Sequence, residues 1–199
     1  MVKVKAMKKL SALLLSLCLL LCGCAKQETE KVTITNPVDI YSEPAIMTVY
    51  EWIGNEIADF QEITFTESLR LFSEKGSGIL YFGYDNCPFC ERAVPMLNEA
   101  ALETGVSVYY VDVYGVFQPT RKEFDELMGY VDEALIEDED GGKSFFVPLI
   151  LGIKNGEITG HHVALVDGFT IENDESQMND AQKEELKNIY LDIIRKTAD

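Results

Sequence analysis

The chain is poor in positive charge, in histidine, in tryptophan and in long apolar runs, and each shortage removes a class of function. Lysine and arginine number 17 against 34 aspartates and glutamates. Four of those lysines, Lys3, Lys5, Lys8 and Lys9, sit in an acid-free stretch at the start, so the rest of the chain is more acidic still. Such a surface repels phosphate backbones and anionic lipid alike. Nucleic acid is therefore not expected as a partner, and any hold on a membrane must come from something other than charge. The two histidines, His161 and His162, are adjacent, and no second Cys-x-x-Cys pair exists to complete a four-ligand zinc site. No metal is expected, and both histidines are read as surface or edge residues. The one conspicuous apolar run, Leu10 to Leu21, is 12 residues long, too short to cross a hydrocarbon core comfortably. What the chain has in quantity is a 47% apolar fraction with ten Phe and nine Tyr, enough to build a sizeable core and to exclude a disordered polymer.

The basic start followed by that short apolar run is the n-region and h-region of a secretory signal. It closes in Leu21-Cys22-Gly23-Cys24, which resembles the lipobox of bacterial lipoproteins, with Cys22 a less usual residue at its position. The resemblance implies that residues 1–23 are removed and that Cys24 becomes a diacylated N-terminus. Two acyl chains hold a protein stably at a bilayer. A plain signal peptide cleaved nearby and a retained membrane helix are the alternatives. The expected organisation is then a signal over 1–23, a lipidated polar tether over 24–45 containing Pro37 and Pro44, and a folded domain over 46–199 on the extracytoplasmic face of the cell membrane.

Cysteine arithmetic now becomes informative. Of five cysteines, Cys18 and Cys22 leave with the signal and Cys24 carries lipid, so Cys87 and Cys90 alone remain as free sulfurs. A loop as short as Cys87–Cys90 contributes little entropic stabilisation. The pair is chemical rather than structural.

Along the chain, residues 61–64 read as a short strand, and Thr66 as the cap of a helix over 67–75. The run from Gly78 to Tyr84 is continuously apolar, as a buried parallel strand is. Asn86 is expected to cap a helix that starts at the cysteine pair, with Pro88 harmless in its first turn, and Gly105 ends it. A strand follows over 106–113 and a helix over 119–136. An acidic, flexible loop is expected over 137–142, inside the acidic segment 132–142. Then come a strand over 145–153 carrying Pro148, a turn at Asn155-Gly156, a return strand over 158–166 and a helix over 180–196. Residues 46–60 remain open between a short helix and a strand-turn, with Trp52 as a packing anchor. This alternation is α/β: a parallel sheet first, then an antiparallel hairpin.

Disulfide exchange requires a thiolate near neutral pH, and an ordinary thiol supplies little of it. A cysteine at a helix N-terminus meets unpaired N–H groups and the positive end of the macrodipole. Cys87 is expected there as the attacking thiol. Cys90, one turn further in, is expected to resolve the mixed disulfide.

Cys87-Pro88-Phe89-Cys90 with Pro95, Val147-Pro148, and the Lys154-Asn155-Gly156-Glu157 hairpin occur in the order found in the thioredoxin superfamily, which the chain resembles over residues 61–196. The resemblance implies a thioredoxin fold: a central mixed sheet of four to five strands flanked by helices, with the acidic segment inserted before the cis-proline strand. It implies a cis Pro148 beside Cys87, a Val147 backbone that pairs with a substrate peptide, and a substrate contact that includes Pro88 and Phe89. It needs no cofactor beyond the Cys87–Cys90 disulfide. The chain departs from the family at Tyr81, where a buried Asp is usual, and at Asn86, where a Trp is usual. Tyr81-Phe82-Gly83-Tyr84-Asp85-Asn86 leading into Cys87 looks most like the bacteriocin transport accessory proteins of Gram-positive bacteria, and the Pro-Phe dipeptide also resembles glutaredoxins. The implied function is a membrane-anchored thiol–disulfide oxidoreductase acting on exported proteins or peptides. Its direction is open, a membrane redox partner recycles it, and it works as a monomer. The competing expectation is a peptide-holding export accessory whose redox activity is incidental.

Overall fold

Residues 31–199, other than Phe117 and Asp138, are described by a computed structural model. The expected signal, Cys24 and the first residues of the expected tether lie outside them. Strand β1 is two residues, Glu43–Pro44, and β2 is Phe60–Glu62. Thr64, not the expected Thr66, caps helix α1, Phe65–Ser73, by accepting the Glu67 N–H on its side chain, so Thr66 lies inside the first turn. Strand β3, Gly78–Gly83, is buried at every residue, as a strand covered on both faces must be. Helix α2, Pro88–Thr104, stops where Gly105 turns left-handed at φ 73°. Strand β4 is Val108–Asp112, and a Thr120–Glu123 capping box opens helix α3, Arg121–Tyr130. Strands β5, Ile136–Glu137, and β6, Lys143–Ser144, pair as a small separate hairpin. Strands β7, Leu149–Lys154, and β8, Glu157–Val163, are joined through left-handed Asn155 and Gly156. Helix α4, Asp180–Thr197, closes the chain.

The main sheet has six strands in the order β1-β2-β4-β3-β7-β8. Strands β2, β4 and β3 run parallel, β7 pairs antiparallel with β3, and β8 antiparallel with β7. Successive residues of a strand face opposite ways, so the sheet serves two cores. Ile79, Tyr81, Val108, Tyr110 and Ile150 face α2 and α4. Leu80, Phe82, Val111, Leu149 and Leu151 face α1 and α3. Parallel strands joined through helices, an antiparallel hairpin completing the sheet, and helices on both faces make this a thioredoxin fold.

The expected tether needs correction, and two further segments take a form the residues did not specify. Residues 31–45 are not a free tether. The Val32 N–H donates to the Thr104 carbonyl at 3.0 Å, Ile40 is buried, and Glu43–Pro44 pairs with Gln61 and Glu62, adding the sixth strand. Alternating apolar residues at Val32, Ile34, Val38 and Ile40 pack on the two cores and outweigh the polar composition. The acidic loop is drawn into the β5–β6 hairpin, where Lys143 reaches the Asp132 carboxylate at 2.5 Å and offsets part of the repulsion. The undecided segment 46–60 opens with a 3-10 turn at Met47–Val49 and delivers Tyr50 into the core.

Candidate active site

Strand β3 delivers the chain to a turn in which Asn86 adopts φ 58°, a left-handed conformation that asparagine tolerates better than most residues. That geometry removes Asn86 from the capping role expected of it. Cys87 itself is the N-cap of α2, its Sγ accepting the Cys90 N–H at 3.2 Å, and Pro88 follows where a missing N–H costs nothing. Pro95 lies inside the same helix, which runs on past it to Thr104.

Both thiols are free, and their surroundings push them apart. The Cys87 pKa is lowered to about 7, chiefly by a hydrogen bond from the Cys90 thiol; burial works against this, while the Cys90 and Phe89 backbone N–H groups and the Tyr84 hydroxyl favour the anion. Cys90 is fully buried and pushed up, first by loss of solvent and then by its neighbour Cys87. One thiol is ready to react and the other is held in reserve, the division that thiol exchange uses.

A groove of about 560 Å³ opens beside the pair, and Cys87, Pro88, Phe89 and Val147 line it together. Of the residues singled out in the sequence, these four therefore meet. Pro148 is cis and buried immediately behind Val147, and its carbonyl accepts the Ala164 N–H at 2.9 Å. Cys90 lies beneath Cys87 and does not reach the groove. Among the described residues neither the N–H nor the C=O of Val147 takes a hydrogen bond. The groove walls are aromatic, with Phe89 45%, Phe146 51% and Tyr114 73% exposed. Tyr84 meets Tyr114 edge-on at 4.5 Å.

Sequence reasoning missed Arg92. It is 4% exposed, and its guanidinium donates to the carbonyls of Pro88, Ser176 and Asp174 while lying 4.6 Å from the Trp52 ring centre. A buried charge needs such a cage. Here it ties the first turn of α2 to the 173–176 loop and uses the lone Trp as one wall. The available signal was its place in the helix, directly before the apolar run Ala93-Val94-Pro95-Met96-Leu97. His161 is exposed as expected. His162 is not a plain surface residue: its Nε2 is buried without a partner, and its ring stands 6.0 Å from that of Tyr190. Among the described residues no three metal-ligating side chains gather, and no helix is long and apolar enough to cross a membrane.

No family model matches the chain. Among solved structures it is similar to the thioredoxin from Aeropyrum pernix, at 25% identity over 51% of this chain and 73% of that one, with a TM-score of 0.34.

Proposed function

We propose that the protein is a thiol–disulfide oxidoreductase that acts on exported proteins or peptides while a lipid on Cys24 holds it at the extracytoplasmic face of the membrane. The observation that carries this reading is the asymmetry of the pair: a Cys87 thiol brought down to about 7 at the edge of a groove, over a Cys90 thiol held up in the core. The Cys87 thiolate attacks a substrate disulfide, releases one substrate thiolate and forms a mixed disulfide. Cys90 then attacks Cys87 Sγ and releases the second. The substrate gains two electrons, and the protein is left with a Cys87–Cys90 disulfide that a membrane redox partner must reduce; run backwards, the same steps oxidise a dithiol. No other cofactor is needed. The unpaired Val147 backbone suits an extended substrate segment, and the aromatic walls suit an apolar residue beside the substrate sulfur.

The deciding experiment is the reduction potential of the couple in defined thiol buffers. A value near about −270 mV makes it a reductant, and one near about −120 to −180 mV an oxidant or isomerase. Cys87→Ser is expected to abolish exchange. The exposed Phe89, Tyr114 and Phe146 favour the second reading, a peptide-holding module, and full biological function in Cys87→Ser would establish that one instead. For the anchor, Cys24→Ser is expected to release the protein from membranes; undiminished retention removes the lipid from the account.

A further inference from the structure

Cys90 poses a problem that the exchange mechanism leaves unsolved. It must become a nucleophile inside a core, and among the described residues no hydrogen bond joins it to a carboxylate or a cation. The groups that bear on it are Cys87, the Tyr84 backbone, and the hydroxyls of Tyr81 and Tyr190, which share its buried cluster, and of these Tyr81 favours its anion. Behind Tyr81 stands a chain of hydroxyls. Tyr50 lies 3.4 Å from Tyr81, either oxygen able to donate, and Tyr50 donates to Tyr110 at 3.3 Å. The rings come from the 46–60 segment, β3 and β4, and Tyr81 stacks on Tyr110 at 5.4 Å and 18°. Tyr50 and Tyr81 are essentially inaccessible, and Tyr110 is 6% exposed. Gly83 completes the cradle: a Cβ there would run into the Tyr81 hydroxyl, so the missing side chain two residues after Tyr81 leaves a notch for it.

We propose that Tyr81, backed by Tyr50 and Tyr110, is a hydroxyl switch that supports Cys90 as it attacks the mixed disulfide on Cys87. The inference rests on the oxidoreductase reading and deepens it. Once Cys87 is held in the mixed disulfide and no longer takes the Cys90 proton, the Cys90 S–H turns to the Tyr81 oxygen, and each hydroxyl donates onward to the next. When Cys90 ionises, the hydroxyls rotate and Tyr81 donates to the sulfur, with no ring moving. Such an O–H···S⁻ bond supplies, in a site that water does not reach, the stabilisation a thiolate otherwise takes from solvent. The attack forms the Cys87 Sγ–Cys90 Sγ bond and breaks the bond from Cys87 Sγ to the substrate sulfur. The substrate sulfur leaves with the bonding pair and ends as a thiol carrying the proton that Cys90 gave up. Burial holds all three phenols far above their ordinary range, so they act neutral. The remaining titrating groups near the chain are Asp112, which bears on Tyr50 and Tyr110 from β4, and Tyr190 on α4, which faces Cys90.

The test follows thiol release from the full chain carrying Cys18→Ser, Cys22→Ser and Cys24→Ser, reduced and mixed with an aromatic disulfide whose thiolate is coloured. The first equivalent reports attack by Cys87, the second attack by Cys90. Tyr81→Phe keeps the ring and removes the hydroxyl. It is expected to slow the second release about tenfold, the worth of a hydrogen bond to a charged group, and to move that phase's pH profile upward, with the first release within about twofold of wild type. Tyr50→Phe, which touches neither sulfur, is expected to slow the second release by less, again without changing the first. A second release unchanged in both variants at every pH overturns the switch while leaving the oxidoreductase reading intact. A wild-type chain that gives one equivalent only overturns both.

Discussion

The two faces of the central sheet are built from the same strands yet are chemically unlike. On one side Leu80, Phe82, Val111, Leu149 and Leu151 meet α1 and α3 in a core dominated by aliphatic and phenyl side chains. Phe82 stands between Phe65 at 6.0 Å and Phe145 at 5.4 Å. On the other side the core that includes α2 and α4 holds two thiols and four tyrosines, Tyr50, Tyr81, Tyr110 and Tyr190. The first face contributes stability by burial. The second gives some of that up to carry polar atoms that must be paired in the dry. Neighbouring positions along β3 thus do different work: Phe82 holds the fold and Tyr81 serves the thiols.

The contrast can be broken hardest at Phe82. Phe82→Ala is expected to cost about 3–5 kcal/mol in denaturant unfolding, while alkylation of Cys87 keeps its pH midpoint near 7. Next comes Gly83→Ala, which drives a methyl into the Tyr81 ring and is expected to cost about 1–3 kcal/mol by overpacking. Gly129→Ala, in α3 with nothing within 4 Å of the added carbon, makes the control and is expected to gain up to about 1 kcal/mol from helix propensity. Tyr190→Phe removes a buried hydroxyl that has no partner and is expected to stabilise by about 1 kcal/mol, where Tyr81→Phe, which takes one of two hydroxyl partners from Tyr50, does not. The remaining effect is in pH and is confined to a narrow window. The Cys87 pKa is lowered on folding, so between about 7 and its ordinary 9.0 the unfolded chain binds more protons and the reduced protein gains stability as pH rises. Cys90 shifts the other way and reverses the trend above that value. Cys87→Ser is expected to flatten the rise, read from unfolding midpoints taken at each pH.

How much of this was readable from the residues depends on how local each feature is. The Cys-Pro-Phe-Cys turn, the apolar run of β3, the Asn155-Gly156 turn and the stop at Gly105 are set by neighbours within a few positions, and each lies where its residues place it. The tyrosine chain is not local. Its three rings come from segments far apart in sequence, and spacing tells that a ring is buried without telling where its hydroxyl points. The departure at Tyr81 was visible as an oddity, but its partners Tyr50 and Tyr110 were not. Arg92 hid for a related reason: a charged helix residue is normally exposed, and only the carbonyls of a loop some eighty residues later make its burial tolerable. The segment 31–45 misled through composition, since its apolar residues alternate among polar ones.

Val32 is fastened beside Thr104, at the far end of a 17-residue helix from Cys87, about 25 Å away at the usual helical rise. Asp199 locks the same corner by donating its N–H to the Thr33 carbonyl and accepting the Thr35 hydroxyl. Any pull passed along the chain from before Lys31 therefore enters the domain at the heel, not at the thiols. The seven steps from Cys24 to Lys31 stretch to about 25 Å at most. A lipid on Cys24 would make a short leash on that heel, leaving the thiols free to face passing chains and obliging a membrane-bound electron donor to extend a long arm to reach them.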